Sequence, residues 1–220
     1  DAVVEFVYAG DLFGNMWKFD LRGTSPGDWA VDIKSGNTPE PLFTAVNDDN
    51  PSVTQSITTR PQIGRHPDGK NGYMVYFGTG KYLEAADNDK TGQPTNSFYG
   101  IWDRVDSDGN TTTVFGRDDL LEQEITLEAT KDTQNPLLAT EPPDVVLRTT
   151  SDNEITKWYD GQGANKGKGG WYLDLDAPSS GDNRGEKAVT DPILRAGRII
   201  FTTLIPSTSP CELGGDGWIM

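Results

Sequence analysis

A strand-turn-strand unit that recurs with a tryptophan strand behind it constrains this 220-residue chain more than any other feature. Arg60-Pro61-Gln62-Ile63-Gly64-Arg65, followed by Gly72-Tyr73-Met74-Val75-Tyr76-Phe77, aligns with Asp191-Pro192-Ile193-Leu194-Arg195, followed by Gly197-Arg198-Ile199-Ile200-Phe201-Thr202. Both copies enter a strand through proline, turn at a glycine and form a second strand. Each then leads to a strand bearing a tryptophan, at 97–103 in the first copy and 217–220 in the second. The opening residues read as the second half of the same unit, with 4–9 as the inner strand, a turn at 11–15 and 16–21 as the Trp17 strand. Residues 154–159 with 170–175 give a looser copy around Trp171.

Small sheets of this kind cannot bury both faces alone and gain a core by stacking on their neighbours. The reading is therefore all-β: a partial or modified β-propeller with loop insertions, in which large aromatics wedge between blades. A two-sheet sandwich also uses many short strands, but it does not require the unit to repeat with its proline and tryptophan in place. Residues 1–220 read as a fragment of one propeller domain, with an insertion at about 103–150 that fits the repeat poorly and decorates the rim. Within it, Leu120, Leu121 and Ile125 fall on one side of a short helix predicted over 117–125.

Composition agrees where it is informative. Gly 25 and Pro 14 fall as punctuation between short β-branched runs. Mean hydropathy is low at -0.58, yet six Trp, seven Tyr and eight Phe supply an aromatic core that disordered chains lack. The formal charge of -15 would repel a phosphate backbone and an anionic membrane surface. That argues against nucleic acid as a partner and leaves cations, Ca²⁺ among them, as suitable ones. No apolar run approaches the ~18 residues that span a bilayer. The single cysteine, Cys211, excludes an internal disulfide and a Cys-based zinc cluster. Because the chain opens in mid-strand without a signal peptide, it reads as an excised piece whose targeting segment lies elsewhere.

The polar motifs are mostly turns. Asp106-Ser107-Asp108-Gly109-Asn110 alternates oxygen donors like a calcium loop, but no acid stands at the bidentate position, so it reads as a hairpin turn. Residues 47–50 and 87–89 read as loop tips, and Asp11 as a hairpin aspartate bonded to its own backbone. Asp1 and Glu5, four residues apart just before a strand, are spaced as the tail of a longer metal loop could be, which these two residues alone do not establish. His66 is the sole histidine, and its loop context points to a solvated or structurally bonded ring rather than a catalytic one. Gly78-Thr79-Gly80-Lys81 lacks the spacing of a phosphate loop and reads as a strand exit. Lys166 and Lys168 lie in a glycine-rich, flexible loop.

In order along the chain, Val7-Tyr8-Ala9-Gly10-Asp11, Gly14-Asn15-Met16-Trp17-Lys18-Phe19-Asp20-Leu21, Gly72-Tyr73-Met74-Val75-Tyr76-Phe77-Gly78-Thr79-Gly80-Lys81-Tyr82-Leu83 and Ser97-Phe98-Tyr99-Gly100-Ile101-Trp102-Asp103 resemble the C-terminal domain of the PilY/PilC type IV pilus biogenesis and adhesion proteins. Asn183-Arg184-Gly185-Glu186-Lys187, Asp191-Pro192 and Phe201-Thr202-Thr203-Leu204-Ile205-Pro206-Ser207 extend the similarity nearly to the end. The resemblance implies a modified β-propeller in a secreted bacterial protein of the outer membrane and pilus tip. Its roles would lie in pilus extension and retraction, twitching motility, adhesion to host or abiotic surfaces and surface sensing, with minor pilins as partners. It also implies that an acidic Ca²⁺ loop runs into the first strand, placing Asp1 and Glu5 on its last positions, Glu5 standing where the family carries Asp. The Arg-Gly-Asp motif of some members is absent, and Arg184-Gly185-Glu186 is not equivalent to it. The function expected is thus a non-enzymatic pilus biogenesis factor and tip-associated adhesin under calcium control. The alternative is a quinoprotein-dehydrogenase-like propeller enzyme, although its characteristic adjacent cysteine pair is impossible with one cysteine. Glycan or host-surface contact through Tyr159, Trp158 or Trp29 is compatible with the first reading.

Overall fold

The computed structural model describes residues 4–47, 50–89, 93–130, 146–162, 165–176, 184–207 and 215–220. Its opening hairpin joins β1 (Phe6–Gly10) to β2 (Asn15–Asp20), with Ala9 opposite Trp17. The turn between them requires Gly14, whose φ is +83° and whose missing Cβ would lie 2.8 Å from the Ala45 carbonyl oxygen. β3 (Ala30–Val31) and, after the outlying hairpin β4 (Lys34–Ser35) and β5 (Thr38–Pro39), β6 (Phe43–Thr44) both pair with β2 and complete a first sheet.

The second sheet grows from the aligned unit. β7 (Gln62–Arg65) and β8 (Tyr73–Gly78) form its hairpin, and β9 (Ser97–Val105), which carries Trp102, adds antiparallel to β8. β10 (Thr111–Thr113) folds back on β9 through the 106–110 turn. Two strands then close the other side: β11 (Leu121–Gln123) lies parallel to β14 (Gly170–Asp174), and β14 is antiparallel to β9. Between them in sequence, β12 (Ile125–Thr130) and β13 (Val146–Thr150) make a separate hairpin. In the last unit β15 (Ile193–Arg195) pairs with β16 (Arg198–Ile200), and β17 (Ile205–Pro206) with β18 (Gly215–Asp216). Residues 218–220 run back along 201–203 through a Thr202–Ile219 bridge, so the aligned copy repeats its Trp218 strand as well.

The second sheet is the middle layer and is buried on both faces. Alternation along β9 sends Tyr99, Ile101 and Asp103 toward the first sheet and Phe98 toward the last unit. On the first side Tyr99 stacks on Phe77 with centroids 5.3 Å apart and meets Phe43 at 5.0 Å. On the second, Phe98 stacks on Phe201 at 3.9 Å. Successive sheets stacked face to face through aromatics, without closing into a ring among the described residues, make a partial β-propeller.

Three details differ from the sequence reading. Residues 117–125 do not form a helix: a 3₁₀ turn at Arg117–Asp119 gives way to β11 and β12, because sheet pairing to β14 overrides the local apolar spacing. The Trp171 strand does not begin a further blade with 154–159 but adds to the same sheet as the Trp102 strand. Nor does Trp17 wedge between blades; its Nε1 donates to Asp11 at 2.9 Å within its own hairpin.

Candidate functional site

Where β1 begins, the first two sheets part to leave an open cleft of about 770 Å³. Glu5, Phe6 and Arg22 from the first sheet face Arg65, Tyr73 and Asp108 from the second across it. Glu5 is exposed, while its carbonyl accepts from the Leu21 N–H at 2.8 Å, so the main chain at this acid is locked to the end of β2. The Phe6 ring forms part of the wall, with Lys18 Nζ 4.3 Å from its centroid and the Arg22 guanidinium at 4.7 Å.

A buried polar network underlies the cleft. Lys18 and Asp103 are fully buried and paired at 3.0 Å, and Lys18 also meets Asp32 at 3.2 Å. The Tyr8 hydroxyl donates to Asp103 Oδ2 and the Thr111 hydroxyl to Asp103 Oδ1, each at 2.6 Å. Lys18 spends further protons on the Gly109 carbonyl, 2.9 Å, and on Thr111 Oγ1, 3.1 Å. Burial, reinforced by the Asp103 charge, pushes the Tyr8 phenol far above its ordinary value and keeps it a donor. The network ties β1, β2 and the loop after β3 to β9 and β10, fixing how the two sheets meet. Lys18 was recognisable in sequence only as a cation on the Met16 side of its strand, the side that faces the core.

The acids nearby are engaged with backbone. Asp106 Oδ1 accepts from the N–H groups of Asp108 and Asn110, which hold its pKa below the usual carboxylate range, and 106–110 is the β9–β10 turn. Arg22 bonds Asp20, the Asp108 carbonyl and Asn110; its side-chain hydrogen bond brings Asp20 down to about 2. Asp11 behaves as the hairpin aspartate expected: burial raises its pKa, but bonds from Trp17, Asn15 and Phe13 outweigh this and lower it.

His66 also borders the cleft, and of the two readings open for it the structure shows a structurally bonded ring, not a solvated one. It is 3% exposed, with its centroid 4.2 Å from that of Trp158 and 4.6 Å from that of Trp102. Its Nδ1 accepts from the Asp68 N–H at 3.1 Å, while Nε2 has no hydrogen-bond partner among the described residues. Trp158 and Tyr159 are thereby accounted for as packing, Tyr159 against Phe115, whereas Trp29 is 48% exposed. Gly78 ends β8, as a strand exit should, and Lys168 donates to the Asp118 and Leu120 carbonyls.

Of the two acids assigned to a metal loop, Asp1 lies outside the described residues, as do Cys211 and Asp48–Asp49 of the 47–50 tip. Among the described residues no three His, Cys, Asp or Glu side chains stand together as a metal cage would require. Glu5 by itself offers one carboxylate where Ca²⁺ takes six to eight oxygens, so a site at this end would need Asp1 and further oxygens from beyond the described residues.

The family model described as the PilY1 beta-propeller domain matches residues 1–135. A type IV pilus biogenesis factor PilY1 homolog of Xylella fastidiosa strain Temecula1 is 32% identical over 221 residues, covering 100% of this chain and 13% of that protein. The type IV pilus biogenesis factor PilY1 of Pseudomonas aeruginosa strain PAO1 is 32% identical over 232 residues, covering 99% of this chain and 19% of its own length. The chain therefore spans less than a fifth of these relatives. The crystal structure of the P. aeruginosa PilY1 C-terminal domain superposes with a TM-score of 0.75 at 28% identity, over 100% of this chain and 44% of that one.

Proposed function

The chain belongs to the PilY1 beta-propeller family, and from that premise we propose that it is the non-enzymatic propeller part of a type IV pilus biogenesis factor. The observation that carries this reading is similarity to P. aeruginosa PilY1 along essentially the whole chain, in sequence and in fold. It serves as a rigid scaffold at the bacterial surface or pilus tip, engaging pilus components such as minor pilins, and it contributes to attachment to host or abiotic surfaces. Ca²⁺ held with the help of Asp1 and Glu5 governs the balance of pilus extension and retraction. Supporting that element is the position of Glu5, whose backbone is fixed to β2 and which borders the cleft between two sheets: an ion that tethers it would order the start of β1. Calcium shifts pilus behaviour only to the extent that it binds one arrangement of that region better than another.

The experiment is complementation of a strain lacking the full-length protein. Deletion of residues 1–220 should abolish surface pili, and normal piliation without them would end the biogenesis reading. The Asp1→Ala/Glu5→Ala double variant should assemble pili whose retraction no longer responds to Ca²⁺. An unaltered calcium response in that variant would remove the metal role while leaving the scaffold role standing.

A further inference from the structure

A second concavity, remote from the cleft, lies where the second sheet, the β12–β13 hairpin and the last unit meet. It is an open concavity of about 320 Å³, lined on its apolar side by Trp171, Leu173, Phe201 and Met220 and on its polar side by Gln123, Thr150, Asp152 and Asn153. Register explains the juxtaposition: Gln123 sits beside Leu173, and Leu121 beside Trp171, on neighbouring strands of one sheet. The half-buried Trp171 ring rests on Gly100, where a Cβ would come within 2.7 Å of the indole, and stacks on Phe98 at 6.1 Å.

The rim is held in advance of any ligand. Gln123 Oε1 accepts from the Ser151 hydroxyl at 2.8 Å and the Asn153 N–H at 3.1 Å, its Nε2 donates to the Asn153 carbonyl at 2.8 Å, and Asn153 Nδ2 donates to the Glu122 carbonyl at 2.9 Å. With its amide N–H groups so occupied, Asn153 presents Oδ1 as an acceptor. The exposed Asp152 carboxylate forms no hydrogen bond or ion pair among the described residues. The pocket thus offers an aromatic and aliphatic surface below and oxygen acceptors at the edge.

A ligand with one face of C–H groups and several hydroxyl donors around its perimeter satisfies both. An anion would meet Asp152 in a chain of net charge -15, and a wholly apolar molecule would strip water from the acceptors without replacing it. The volume is at the low end for small-molecule sites, room for about one ring. We propose that this pocket binds a neutral hexopyranose, its C–H face on Trp171 and its hydroxyls donating to Asp152 and Asn153. The proposal deepens the adhesive part of the reading above and rests on it only for where such a sugar is met, at the end of a surface glycan.

The test is saturation-transfer NMR on the full-length protein with methyl α-mannoside, methyl β-galactoside and methyl N-acetyl-β-glucosaminide, with glucuronate as the charged control. At least one neutral glycoside should bind saturably with a Kd on the order of 1 mM, the scale for one small ring in a shallow site, and glucuronate should not. Asp152→Ala should weaken binding roughly tenfold by removing a charged acceptor. Thr150→Trp, at an exposed rim position, should block the pocket without disturbing the floor, the fold of both variants being checked by circular dichroism. Absence of saturable binding by all three glycosides, or binding that neither variant changes, would overturn the site. Normal bacterial attachment with no glycoside binding would sink this pocket and spare the adhesive reading. Glycoside binding together with unaltered attachment by Asp152→Ala would keep the pocket and show that attachment does not run through it.

Discussion

Lys18 and Asp103 show how much a single pair can decide. Both are fully buried, so neither charge can be rehydrated if its partner is lost. Asp103→Ala leaves Lys18 with Asp32 and strands the Tyr8 and Thr111 hydroxyls; it should cost about 3–5 kcal/mol, read as a fall in the denaturant midpoint. An unchanged midpoint would mean that the network is not what joins the sheets. His66 gives a pH dependence of defined sign. Burial between Trp102 and Trp158 lowers its pKa, with Asp68 opposing and Lys70 assisting, and Arg104 lies over the Trp102 ring. The unfolded ring takes up a proton near pH 6.5 while the native ring stays neutral, so this contribution is complete above that value and is lost as pH falls from it toward the lower native pKa. Unfolding free energies of the wild type and His66→Gln should converge as pH drops through that window, and a constant difference would count against the assignment. Neither role was legible in sequence, since the burial of each side chain is completed by a partner some 90 positions away, Gly109 for Lys18 and Trp158 for His66.

At the scale of elements, β9 governs packing on both sides of the middle sheet. Gly100 is small because Trp171 of β14 occupies the space its Cβ would fill. Gly100→Val should displace the indole and cost about 1–3 kcal/mol, visible as loss of near-ultraviolet circular dichroism along with a lower midpoint. The β12–β13 hairpin depends on a different device. Arg148, 1% exposed at its side chain, reaches Glu186 at 2.6 Å, bonds Glu128 of its own hairpin and lies 4.3 Å from the centroid of the Trp218 ring. Arg148→Met should leave Glu186 without this partner and release the hairpin from the last unit. Hydrogen exchange should then accelerate at β12 and β13 while β8 and β9 keep their protection. Equal acceleration in all four would show that the hairpin is not a separate unit. The hairpins at β1–β2, β7–β8 and β15–β16 were readable from Pro, Gly and alternation because each closes locally. The pairing of β11 with β14 was not, because a parallel contact across some fifty residues leaves no local signature.

For the whole molecule, the -15 charge is a standing repulsion that compaction must overcome. Raising NaCl from about 10 mM to about 0.3 M shortens the screening length and should raise the melting temperature by a few degrees, with KCl equivalent. CaCl₂ matched in ionic strength should raise it further if the metal reading is right, and an increment no larger than that of NaCl would weigh against it. The repeat, the all-β class, the aromatic core and the family likeness were set by sequence alone, because short-range turn chemistry and period-2 alternation need no knowledge of distant partners. Only the tertiary structure decided that the Trp102 and Trp171 strands share one sheet, that residues 121–123 are a strand and not a helix, and that Lys18 is enclosed by β1, β9, β10 and the loop after β3. It alone brought Trp171, Asp152 and Asn153 into the lining of one concavity. Those outcomes depend on which faces become dry, and a face becomes dry only when another sheet covers it.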